Sequence, residues 1–296
     1  MQDLHYFPGH MKKTQRAIEE SIKKVDAVCE ILDARIPLSS RNPDIDDLTA
    51  GKPRLIVLNH TDQADSAKTK LWAAYFRRCG YAVIETAAKS GGGVKAFVPA
   101  VRALLAEKLQ RYAEQGQAGR TIRVMVVGIP NVGKSTFINR VAGKTRAKAE
   151  NRPGVTRSNQ WVSVGGGLEL LDTPGILWPK FEDQEAALRL AFIGAIRDEV
   201  MDLEELACYL MDFLARAYPA CLAERYQITP EEGESGYDLL IRAGRKRGFL
   251  ISGGEVDTER MAKILMDEFR GGKLGRFTLE LPETAEEGKE PDDGTP

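Results

Sequence analysis

Eight consecutive residues constrain this chain more than any others. Residues 128–135 read Gly-Ile-Pro-Asn-Val-Gly-Lys-Ser, with an apolar run, IRVMVV at 122–127, before them and a helical pattern, KSTFINRVAG, from Lys134 onward. A GxxxxGK[ST] loop between a strand and a helix turns backbone N–H groups toward phosphate oxygens. The helix N-terminus adds a favourable dipole. Lys134 is placed to reach β- and γ-phosphates, and Ser135 to offer its hydroxyl to Mg²⁺. Asn131, Val132, Gly133 and Thr136 complete the expected phosphate cradle. Similar apolar runs at 27–32, 55–58 and 81–84 alternate with helical stretches such as 65–78 and 94–112. That alternation predicts a parallel, doubly wound α/β sheet.

Two companion motifs follow the loop. Asp172-Thr-Pro-Gly175 ends the run LELL, which pairs with WVSV at 161–164 as a predicted hairpin. Asp172 suits the Mg²⁺ shell, and the Gly175 N–H a γ-phosphate. Between them, Thr156 in RPGVTR can complete Mg²⁺ coordination. Two further motifs lie upstream. Asn59-His60-Thr61-Asp62 follows LIVL and resembles the NKxD guanine signature, and Asp62 is the carboxylate that would pair with two base N–H groups. Thr86-Ala87-Ala88-Lys89 follows YAVIE and resembles the loop that meets guanine O6, with Ala87 and Ala88 against the base. Taken alone, NHTD is a polar turn after a strand; the phosphate loop tips it toward a base site, and the substrate expectation is GTP.

The motif order is base, second base loop, phosphate loop, Thr156, then DTPG. Ras-like GTPases begin with the phosphate loop. Together with Phe7-Pro-Gly-His-Met11, Asp33-Ala-Arg-Ile-Pro37 and Leu171-Asp-Thr-Pro-Gly-Ile-Leu-Trp-Pro179, this order resembles the circularly permuted GTPases of the YlqF/YawG group, and within it the ribosome-biogenesis members. The resemblance runs from about residue 5 to about residue 280. It implies a circularly permuted Ras-like P-loop domain over 14–180, preceded by a mobile segment, 1–13, and followed by an all-helical RNA-binding domain over 181–280. It implies Mg²⁺ as cofactor, K⁺ held through Asn131, and a precursor of the large (50S) ribosomal subunit, with its ribosomal RNA, as partner. Two positions depart from common patterns. His60 stands where Lys is usual, which predicts weaker nucleotide affinity with guanine preference kept. Ile176 follows DTPG where Ras-like enzymes carry a water-orienting Gln. On residues alone, a packing role for His10 at the start of a helix is the favoured reading; the resemblance suggests it as the catalytic group in place of that Gln and brings the two readings level. A His5–His10 metal pair lacks a third ligand.

The region after Pro179 shows helical spacing, with Asp202 and Glu205 in a capping-box arrangement before Leu206, Leu210 and Leu214, and Asp257 opening another helix. Arg242, Arg245, Lys246, Arg247, Lys273 and Arg276 are candidate RNA contacts; the alternative for the cluster at 242–247 is a solvated basic helix end. Net charge is −1, yet residues 281–296 carry six acids and one Lys, which leaves the rest of the chain mildly basic. That tail is expected to be disordered. No segment has the apolar length of a membrane span, and the four cysteines, Cys29, Cys79, Cys208 and Cys221, show no paired spacing. The expectation is a cytoplasmic protein, monomeric when free, with reduced thiols. Two other functional classes stay open on motifs alone: a nucleotide-gated RNA adaptor with little hydrolysis, and a tRNA-modification or translation GTPase.

Overall fold

The computed structural model describes residues 16, 18–143, 160–175, 177 and 183–282. FPGHM, Thr156, Ile176 and the acidic tail beyond residue 282 lie outside them. Six strands form one sheet: β1 (Ala27–Asp33), β2 (Arg54–Asn59), β3 (Ala82–Glu85), β4 (Ile122–Val127), β5 (Gln160–Val164) and β6 (Leu168–Asp172). Their spatial order is β3-β2-β1-β4-β6-β5. All pairs are parallel except β5–β6, the predicted hairpin. β1 and β2 are buried along their whole length, which is why they read as unbroken apolar runs. The strand leading into the phosphate loop is fourth in the chain but central in the sheet. The permutation therefore changes only where the chain starts and leaves the arrangement of loops intact.

Helices α1 (Asp44–Leu48), α2 (Ser66–Arg78), α3 (Phe97–Leu104), α4 (Ala106–Glu114) and α5 (Lys134–Ala142) accompany the sheet. Asp65 caps α2 by accepting from the Ala67 and Lys68 amides, and Trp72 and Phe76 pack on Leu32, Ile56 and Leu58. The stretch expected as one helix over 94–112 is a short 3₁₀ turn, Val94–Ala96, then α3 and α4, which bend apart at Leu105.

Among the described residues, five α-helices follow: α6 (Gln184–Phe192), α7 (Leu203–Ala217), α8 (Pro219–Tyr226), α9 (Gly236–Lys246) and α10 (Thr258–Arg270). Leu206, Leu210, Met211 and Leu214 of α7 pack with Leu239, Leu240 and Ala243 of α9 and Met261, Leu265 and Met266 of α10. Asp202 caps α7, but the reciprocal capping box sits at Ser235–Asp238, at the start of α9. Between α8, α9 and α10 the Glu268 carboxylate accepts hydrogen bonds from Arg225, Tyr226 and Arg247.

After α10 the chain turns back and docks on the nucleotide-binding half. The Phe277 amide donates to Gln63 O and the Leu279 amide to Arg35 O. Thr278 Oγ1 accepts from the Asp65 amide. Trp72 Nε1 donates to Glu280 O, while the Glu280 carboxylate accepts from the Ser39 amide and Arg189. One apolar core runs through both halves, so burial of Phe277 and Leu279 holds the strap in place. Arg35 of the DARIP segment pairs with Asp33 and lies 5.9 Å over the Phe269 ring. That segment is thus a junction between the halves.

Candidate guanine-nucleotide site

The loops after β1, β2, β3, β4 and β6 emerge at one edge of the sheet, where their carboxyl ends meet. That is where ligands bind in doubly wound folds. The loop after β4 wraps the N-terminus of α5. Lys134 is buried, and its ammonium donates to the Gly128 and Ile129 carbonyls at 3.0 and 2.7 Å. Burial pushes its pKa down to about 8, with nearby Asp172 opposing. The cation is therefore stored on its own loop, ready to exchange two neutral carbonyls for phosphate oxygens. Gly133 has φ +87°, and a Cβ there would stand 2.5 Å from Asn59 Nδ2. A Cβ on Gly175 would stand 2.7 Å from Pro130 N and 3.0 Å from Lys134 Nζ. Only glycines let these loops close over a phosphate-sized space.

Ser135 Oγ lies 3.4 Å from Asp172 Oδ2. The other oxygen, Asp172 Oδ1, is buried with no hydrogen-bond partner among the described residues. Burial raises the Asp172 pKa, with Lys134 and Ser135 opposing. A carboxylate oxygen left open beside a hydroxyl is the donor set of a hard divalent cation, so these residues fit Mg²⁺. Thr173 Oγ1 donates to Val126 O at 2.7 Å and fastens the DTPG turn to β4.

Asn59 is the hub of the base side. It is 1% exposed. Its Nδ2 donates to Val132 O at 2.8 Å, and its Oδ1 accepts from Thr86 Oγ1 and the Ala88 amide, both at 3.0 Å. One side chain thereby ties both base loops to the phosphate loop. The Thr61 amide donates to Thr86 O. Arg140 of α5 donates from Nε to Ala88 O, a contact that nothing in the local sequence announces. Ala87 and Ala88 are buried behind the base edge, while Asp62 stands exposed at the rim, open to a ligand. His60 has φ 63°. Its buried Nε2 has no hydrogen-bond partner among the described residues and points at Gly133. Burial lowers its pKa, with Asp33 opposing, so the imidazole is neutral where Lys would bring a charge.

Asn131, with φ 64°, donates from Nδ2 to Gly194 O just after α6. Arg270 of α10 seizes the same corner, donating to the Phe192 and Ala191 carbonyls and pairing with Asp198. The phosphate loop therefore touches the helical region directly. Among the candidate RNA contacts, Arg245, Lys246, Lys273 and Arg276 are exposed. Arg242 and Arg247 present no free charge. The first pairs with Glu234 and Glu231, the second with Glu268. The Phe249 ring face is covered by Arg260 at 4.3 Å.

A family model described as 50S ribosome-binding GTPase matches residues 123–232. Ribosome biogenesis GTPase A of Bacillus cereus is 48% identical over 280 residues, covering 95% of this chain and 94% of that protein. The chain belongs to the ribosome biogenesis GTPase A family. The GDP-bound structure of TM YlqF matches with a TM-score of 0.67 at 30% identity, over 91% of this chain and 100% of that one. The GNP-bound YlqF from T. maritima matches at 0.63 and 29%, over 92% and 99%. As a ribosome biogenesis GTPase A family member, the protein is a GTP hydrolase with a circularly permuted domain. The candidate phosphate, base and metal loops above lie within the described residues. His10 and Thr156 lie outside those residues.

Proposed function

We propose that this GTPase binds a precursor of the large ribosomal subunit, promotes its late assembly, and leaves when GTP is hydrolysed. The Asn131–Gly194 contact carries the reading, because it gives the phosphate loop a direct hold on the helical region where Arg245, Lys246, Lys273 and Arg276 face outward. The names of the relatives support the same partner. Lys134 and the loop amides bind the phosphates, Asp62 selects the base edge, and Ser135, Asp172 and Thr156 hold Mg²⁺. The metal supplies charge neutralisation at the developing phosphate oxygens. No Gln follows DTPG, so the free protein turns over slowly, and binding to the particle places His10 beside the attacking water. GTP favours the bound state and GDP the free one. The protein works in the cytoplasm.

The test is GTP turnover measured with and without large-subunit precursors, alongside cosedimentation with a non-hydrolysable GTP analogue and with GDP. Stimulated turnover and analogue-dependent sedimentation are expected. Equal sedimentation in both nucleotide states sinks the release step. In the same assay His10→Ala keeps nucleotide and particle binding and loses most of the stimulated rate. Full stimulated activity in a folded variant removes His10 from the mechanism.

Asn131 supports a second expectation. Its Nδ2 is committed to Gly194 O, which leaves Oδ1 as a ligand for K⁺ beside the phosphates, a charge that partly replaces an arginine finger. Hydrolysis is expected to run faster in K⁺ than in Na⁺ at equal ionic strength, and Asn131→Ala to abolish the difference. Identical rates in the two salts contradict the assignment.

A further inference from the structure

At the opposite edge of the sheet from the nucleotide, the amino ends of β1 and β4 floor a cleft of about 420 Å³. Six cations line it: Lys23, Lys24, Lys52, Lys108, Arg120 and Arg123. Asp26 is the sole acid among the described lining residues, and it is already engaged by Lys108 at 2.7 Å and by the Arg123 amide. Arg123 in the lining stands five residues before Gly128 along β4, so at about 3.3 Å per residue the cleft lies roughly 17 Å from the phosphate loop. It is a separate site.

The cations divide into two groups. Lys52 donates to Val25 O, Lys108 pairs with Asp26 and Arg123 with Glu169, so these three shape the walls. Lys23, Lys24 and Arg120 are exposed, and no acid pairs with them among the described residues. Charge of one sign in a low-dielectric concavity focuses the field on whatever enters. A loose spray of surface lysines would not converge in this way. Arg123 links the cleft to Trp161 on edge strand β5, which is 40% exposed and has the guanidinium 5.2 Å from its ring centre. Phosphate-binding cations near a part-exposed aromatic ring form the pairing used to hold a nucleic-acid strand, backbone in the groove and base on the ring.

We propose that this cleft is a second RNA-binding site, which takes backbone phosphates while Trp161 stacks a neighbouring base. It rests on the RNA-contact reading above and adds a contact on the nucleotide-binding half, remote from the helical region. The ligand chemistry is phosphodiester. Free polyphosphate shares the charge but offers no base for Trp161.

The experiment uses the full-length protein loaded with a non-hydrolysable GTP analogue. Its probes are a labelled single-stranded RNA, purified large subunits and inorganic tripolyphosphate. In Lys23→Gln/Lys24→Gln/Arg120→Gln the plot of log affinity for RNA against log salt is expected to be shallower by about 2, because each phosphate neutralised on a single strand contributes about 0.7. Trp161→Ala is expected to weaken RNA binding about fivefold with the slope unchanged, since stacking is insensitive to salt. Basal GTP turnover and melting temperature stay at the unmodified values in both variants and show that the fold is intact. An unchanged slope in the triple variant overturns the proposal. So does tripolyphosphate binding that depends on the three cations while RNA affinity does not, which makes the cleft a small-anion site. If the unmodified protein fails to bind subunits yet binds RNA through the cleft, the assembly function falls and the cleft stands.

Discussion

Asn59→Ala is expected to weaken GTP binding about a hundredfold while leaving the sheet folded. The substitution removes three hydrogen bonds at once, to Val132 O, Thr86 Oγ1 and the Ala88 amide. Asn59 is almost fully buried, so water does not readily replace them. A buried polar group left without a partner costs about 1–3 kcal/mol. Two backbone groups and a hydroxyl are orphaned, and relaxation of the base loops recovers part of that. A net loss of about 3 kcal/mol corresponds to a factor of about 100 in affinity. The loss falls on the ligand, because the loops that separate are those that clasp base and phosphate. Calorimetric titration with GTP checks the magnitude. Asn59→Asp separates donor from acceptor: the carboxylate still accepts from Ala88 but no longer donates to Val132 O. An Ala variant with affinity within a factor of about two of the unmodified protein would show that the loops hold position without their hub.

Glu268→Gln is expected to destabilise the protein by about 3 kcal/mol at neutral pH. Burial alone would raise the Glu268 pKa. The hydrogen bonds from Arg225 and Tyr226, with the Arg247 and Arg225 charges, override it and hold the carboxyl at about 2 against an ordinary 4.5. A shift of that size is worth roughly 3 kcal/mol at about 1.4 kcal/mol per pH unit. The folded pKa is the depressed one, so the contribution is full above about pH 4.5 and is lost as pH falls toward about 2. Removing the charge also leaves two guanidinium groups facing one neutral amide, the costly way to break a part-buried ion pair. Urea unfolding at neutral pH and at acid pH is the measurement. The unmodified protein loses stability on acidification, and the gap between it and Glu268→Gln closes. A gap that stays constant across that range would place the stabilisation in packing around Tyr226 rather than in charge.

Neither residue is equally visible in the chain. Asn59 heads NHTD and can be picked out, but as a residue that would touch the nucleotide. In the structure its side chain joins both base loops to the phosphate loop, a tie that NHTD alone does not announce. Glu268 carries no signal at all. It sits on the buried face of an amphipathic helix where an acid reads as an exception. Its partners Arg225 and Arg247 lie 43 and 21 residues away, and Arg247 had stood out as a candidate RNA contact. Arg140 and Gly194 were equally silent. An arginine on a helix face and a glycine after a helix have many ordinary uses, and only the packing of α5 against the second base loop and of α6 against the phosphate loop assigns these.

What the sequence determined by itself is the chemistry of the phosphate loop and the permuted order of the motifs. Both are written in consecutive residues: glycines where φ must be positive or a Cβ would collide, a Lys and a Ser at fixed offsets, apolar runs that end where the loops begin. The doubly wound sheet follows from the same local patterns. The tertiary structure alone decided which charges remain free, where the helical half ends, and that a basic cleft gathers at the amino ends of β1 and β4. Each of these depends on distance in space. A cation at Arg242 or Arg247 is available to RNA only if no acid lies within ion-pair reach, and the acids that reach them come from another turn or another helix. Residues 274–280 follow the last described helix, yet burial of Phe277 and Leu279 against the shared core binds them to the nucleotide-binding half. Apolar burial is non-directional, so a local pattern can mark such residues as core without saying which core they will join.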